Sequence, residues 1–123
     1  MSELPTVGRQ LMSLVKPSGE LELSLQDVEV QAPGENEVLV KVEASPINPS
    51  DLGMLLAMAD VSKATQSGSD DSPTVNAPIG EAVMAAMAAR VGHPMPVGNE
   101  GAGVVVATGS SEEAKALMGK TVA

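Results

Sequence analysis

Two short polar clusters stand beside Pro and Gly in this sequence: Asn48-Pro49-Ser50-Asp51, and Asn99-Glu100 between Gly98 and Gly101. Amides and carboxylates at such places can bind by hydrogen bonds or move protons. They can also simply satisfy nearby backbone donors, which short polar side chains commonly do at strand-to-turn junctions. Spacing alone leaves open whether the two junctions face one cleft. The run Gly98-Asn99-Glu100-Gly101-Ala102-Gly103 suggests a phosphate cradle but fails the dinucleotide pattern. That pattern needs G-x-G-x-x-G after a strand and opening a helix, whereas Gly101 and Gly103 precede an apolar run and residue 106 is Val. A tight turn or barrel corner explains these glycines instead. No G-x-x-x-x-G-K-[ST] occurs, and His93 is the one histidine, flanked by Gly92 and Pro94 in a loop. A triad or a histidine metal set built on it would need partners that the sequence does not place. Asp70-Asp71 reads as a solvated loop and Glu112-Glu113 as a helix N-terminus.

Composition narrows the chemistry further. The chain has 123 residues and contains no Cys, Phe, Tyr or Trp, so its core is aliphatic with Met filling gaps. That removes a base-stacking platform, an aromatic cage, a tyrosine acid, a disulfide framework, a thiol nucleophile and thiolate metal sites. The formal net charge of -9 disfavours nucleic acid and acidic membrane faces as partners. No apolar run approaches the roughly 20 residues needed to span a bilayer, and Met1–Pro5 lacks the features of a secretory signal. A cytoplasmic protein is the expectation.

The elements that must position these residues are mostly strands. Leu11–Val15, apolar except for Ser13, is followed by the turn Pro17-Ser18-Gly19 and by alternation at Leu21, Leu23 and Leu25. Val38, Val40, Val42 and Ala44 share one face of a clear strand that Pro46 and Pro49 end. A short helix opened by Pro49 and Asp51 is expected to run to about Asp60. Residues 64–78, rich in Ser, Asp and Gly, read as a mobile surface loop. Glu81–Val91 predicts an amphipathic helix closed by Gly92. Gly101–Thr108 reads as a buried central strand, Ser110 with Glu113 as a capping box, and Thr121–Ala123 as the start of another strand. A strand beginning there leads to the expectation that the chain is the front portion of a longer protein.

Two of these segments resemble the medium-chain dehydrogenase/reductases. Glu37–Leu52, with Ile47-Asn48-Pro49-Ser50-Asp51, is similar to the segment by which that family enters its catalytic domain. Pro96–Gly109, with Gly98-Asn99-Glu100-Gly101, is similar to the second hallmark. Leu117–Ala123 matches the point where a further strand follows. The likeness covers most of residues 20–60 and 94–123, in the right order. It implies a mainly β fold with short helices (α+β): a partly open GroES-like β-barrel, incomplete over these residues, without a Rossmann cofactor domain.

Within the family, zinc alcohol dehydrogenases place Cys at the position matching Asn48 and His at the position matching Asn99. Both differ here, so the resemblance is to the zinc-free quinone oxidoreductases and enoyl-thioester reductases, in which NADPH reduces a conjugated acceptor. It implies NADPH bound mainly by a Rossmann domain outside this chain, no zinc, a quinone or enone substrate and a homodimer in the full protein. Asn48 would line the cofactor and substrate cleft, with Asn99 at the second junction. Asp51 and Glu100 would hold the cleft walls by hydrogen bonds rather than transfer protons. No residue is assigned as catalytic. Relatives carry a Tyr soon after the Asn-Pro motif where this chain has Gly53-Met54-Leu55-Leu56, and the stretch 60–93 finds no counterpart. The alternative is a non-catalytic GroES-like binding or assembly module. The isolated chain is expected to be inactive.

Overall fold

The computed structural model describes residues 4–123. Strand accounts for 41% of the chain and helix for 20%, as the mainly β expectation requires. Contacts divide it into two units. One holds Arg9–Val28 and Ile47–Val97; the other holds the described residues up to Gly8 together with Glu29–Pro46 and Gly98–Ala123.

The first of these is built on β1 (Val7–Lys16) and β2 (Glu20–Glu29), joined by a tight turn in which Gly19 takes φ +86° and its N–H donates to the Lys16 carbonyl. A side chain would be strained at that positive φ, so glycine belongs there. β4 (Thr65–Gly68), β5 (Pro73–Pro78) and β6 (Met95–Pro96) complete a sheet of order β4-β5-β2-β1-β6. The same unit holds the helices α1 (Pro49–Leu56) and α2 (Glu81–Ala86). Val15, Leu21, Ala57 and Ile79 form the core, with Leu23, Val83, Met84, Met87 and Val91 packed against it. Aliphatic residues and methionine fill it without a ring, as the composition demands.

Three local expectations are corrected here. Residues 64–78 are a hairpin rather than a loop: Thr65 to Gly68 pair with Asn76 to Pro73. The Ser69 carbonyl and hydroxyl both accept from the Ser72 N–H, which closes the turn between them. Polar composition misled because a ladder uses backbone groups. β5 is anchored by pairing with β2, while β4 is an edge strand exposed along its whole length and has no need of apolar side chains. α1 stops at Leu56, short of Asp60, because Ala57 and Met58 both take left-handed φ values, 48° and 57°. The expected helix to Val91 breaks at Met87 into α2 and a 3-10 turn over Ala88–Arg90, although Gly92, at φ +78°, does mark the end.

The other unit centres on β3 (Val38–Ala44), β7 (Ala102–Thr108) and β8 (Thr121–Val122), in the order β3-β7-β8. β7 is therefore the central strand that its valine run suggested. Gly103 lies opposite Val42, and a Cβ there would collide with the Lys41 carbonyl, so the bare backbone permits the close approach of β3. α3 (Glu112–Lys115) is capped one residue later than expected: the Ser111 hydroxyl, not that of Ser110, accepts from the Ala114 N–H at 3.2 Å. In neither sheet do the first and last strands pair. No described helix is long and apolar enough to cross a membrane.

Candidate functional site

Asn48 and Asp51 meet at the start of α1. Asn48 is extended, at φ -93° and ψ 156°, and Pro49 presets the first helical residue. The Asp51 carboxylate accepts from the Asn48 N–H at 2.9 Å, and the Asn48 side chain accepts in return from the Asp51 N–H, a reciprocal capping box. Asp51 is 6% exposed, the most buried charged group described, while Ser50 is exposed. Each partner satisfies a backbone donor that the first turn leaves open. Asp51 therefore acts here as a structural acceptor at the start of α1.

Asn99 and Glu100 are exposed residues of the bend that leads from Gly98, at φ +110°, into β7. They belong to the other unit, Asn48 and Asp51 to the unit with the helical layer. His93 is exposed, as are Asp70, Asp71, Glu112 and Glu113. Among the described residues no three His, Cys, Asp or Glu side chains come together to hold a metal ion.

Two features escaped the sequence reading. The first is a groove of about 510 Å³ in the three-stranded unit, lined by Val38, Val40, Val42, Gly101, Leu117, Val122 and Ala123. Alternation put the β3 valines on one face, but only the tertiary structure leaves that face open. The second is the pair Ser13 and Arg90. Ser13 is fully buried, donates its hydroxyl proton to the Leu55 carbonyl at 2.8 Å, and accepts from Arg90 Nη2 at 3.1 Å. Arg90 Nη1 donates to the Met54 carbonyl at 3.1 Å. The one signal in the sequence was that Ser13 interrupts an apolar strand.

The alcohol dehydrogenase GroES-like domain model matches residues 34–123, well over half of the chain. That range includes both polar clusters, the β3–β7 pair and all three helices. No curated protein matches the chain. By this match the chain belongs to the GroES-like domain family of alcohol dehydrogenases, the N-terminal part of the medium-chain dehydrogenase/reductase superfamily.

Proposed function

We propose that these residues form the substrate-domain portion of a zinc-independent, NADPH-dependent oxidoreductase that reduces a quinone or another conjugated carbonyl. The observation that carries this reading is the pair Asn48 and Asn99, standing where zinc relatives place Cys and His, in a chain with no cysteine and one histidine. An amide offers zinc neither thiolate nor imidazole. In this reading Asn48 lines the acceptor cleft, and polar groups there favour the negative charge that develops on a reduced carbonyl oxygen. Asp51 keeps α1, and with it Asn48, in place.

The residues present do not fit the cofactor's phosphates. Gly101 and Gly103 lead into strand β7 rather than a helix, and the space at Gly103 is taken by the Lys41 carbonyl. The reading therefore assigns NADPH to a Rossmann domain outside these 123 residues and expects this chain alone to neither bind nor oxidise it. Saturable binding of NADPH by the chain in a calorimeter would overturn that assignment. For the whole protein the test is metal analysis alongside quinone-dependent NADPH oxidation. Turnover that survives a chelator, without stoichiometric zinc, is expected; bound zinc at one equivalent sinks the zinc-free reading.

A second reading, a binding or assembly module without chemistry, draws on the capping box, which gives Asn48 and Asp51 a structural task. Asn48→Ala in the whole protein separates the two. Turnover lost well beyond the loss of stability favours the enzyme, and stability lost with turnover intact favours the module.

A further inference from the structure

α1 has eight residues, a little over two turns, too short to hold itself as a helix in water. Its frame must come from its ends. An α-helix leaves its last four carbonyls without partners inside the helix. Here those are Gly53, Met54, Leu55 and Leu56, and all four are satisfied. The Gly53 carbonyl accepts from the Ala57 N–H at 3.3 Å and that of Leu56 from the Ala59 N–H at 2.8 Å, both within the local chain. The remaining two are reached only from a distance. Met54 accepts from Arg90 and Leu55 from Ser13, and Arg90 also donates to Ser13. Sequence separations of 36, 42 and 77 residues make this a tertiary clamp across β1, α1 and the 3-10 turn. The Arg90 cation sits at the negative end of the helix dipole, and its partners are neutral oxygens. Its Nε is buried without a hydrogen-bond partner among the described residues, so the guanidinium accepts an unfavourable environment to make these contacts.

We infer that Arg90, with Ser13, is a positioning residue that completes the C-terminal end of α1 and thereby fixes the Asn48–Asp51 box at its other end. Loss of the last turn takes about half of so short a helix and leaves the box on a single remaining turn. The structural claim stands by itself. Its catalytic consequence, that Arg90 sets the placement of Asn48 in the cleft, rests on the function proposed above.

The test is residue-resolved amide hydrogen exchange on the chain, comparing wild type with Arg90→Met, Arg90→Lys and Ser13→Ala. Exchange at the Asn48 and Asp51 amides should rise about tenfold or more in Arg90→Met, the scale of one lost charge-assisted hydrogen bond, and less in Arg90→Lys. Amides of the β2–β5 ladder, Leu21 to Leu23 with Val75 to Ala77, should keep their rates. Unchanged exchange at Asn48 and Asp51 overturns the inference, and so does a uniform rise that includes the ladder. If Arg90→Met does not fold, the milder Ser13→Ala carries the same comparison. In the whole protein, Arg90→Lys should lower kcat for quinone reduction while leaving the NADPH KM unchanged. Failure of wild-type turnover would refute the proposed function and leave the exchange result, and the clamp, standing.

Discussion

Leu21 and Val42 are both aliphatic residues of antiparallel strands, yet Leu21 is 1% exposed and Val42 is 61% exposed. The difference lies in what each unit offers as a second layer. Around Leu21, Ala57 at the tail of α1 and Val83, Met84 and Met87 of α2 and its end close over the sheet. In the three-stranded unit, α3 is a single turn of four residues; Val105 is covered, but Val38, Val40 and Val42 line an open groove. Alternation selects a face of a sheet, and a packed layer is what removes that face from water. The same residue types thus give a core in one unit and an apolar surface in the other.

The largest effect should come from the covered side. Leu21→Ala is expected to destabilise the chain by roughly 2–5 kcal/mol in urea unfolding, while Val42→Ala changes it by less than about 0.5 kcal/mol. Equal losses at the two positions would erase the contrast between the units. Gly103→Ala probes the open unit where it is tight. With Lys41 backbone in the way, a loss of about 1–3 kcal/mol is expected, together with weakened β3–β7 pairing by amide exchange. A neutral result would mean that β3 yields at Lys41 without cost.

Asn48→Ala should cost about 1 kcal/mol through the lost cap, and Asn48→Asp should largely restore it. Thermal melts that fail to separate the two variants would remove the capping box as an explanation. Met58→Gly should change stability by less than about 1 kcal/mol and in the favourable direction, because it relieves an exposed left-handed residue at the end of α1. A loss of stability would show that the Met58 side chain makes a contact of greater worth.

The smallest effect is electrostatic. Lys16 lies 2.7 Å from Glu22 and 3.7 Å from Glu20, and the hydrogen bond to Glu22 holds its ammonium above the ordinary lysine value against the opposing effect of desolvation. A raised folded pKa means a contribution fully present below the unfolded lysine value and lost as pH rises through the folded one. The loss therefore falls in strongly alkaline solution, and Lys16→Met should flatten it in melts taken across that range. Partly open to water as this pair is, the change should be slight.

Strand identity was legible because alternation is local. β1, β2, β3 and β7 stand where Leu11–Val15, Leu21–Leu25, Val38–Ala44 and the Val104–Val106 run put them. The hairpin over 64–78 was not, since an edge strand paired through its backbone needs no apolar signature. The clusters at Asn48–Asp51 and Asn99–Glu100 were visible as residue types beside Pro and Gly. That Asn48 and Asp51 cap one another became clear only from the 2.9 Å contact at the start of α1.

By itself, then, the sequence determined the chemistry available. Without cysteine and with one histidine there is no thiolate and almost no imidazole; without rings the core is aliphatic; and the order of the two polar clusters carries the family. The tertiary structure decided which valines are buried, where α1 ends and what holds that end. Those outcomes depend on residues far apart in the chain, and Arg90 reaching back 77 positions to Ser13 is the clearest case. A hydrogen bond across that distance is set by packing, and no local pattern of residues encodes it.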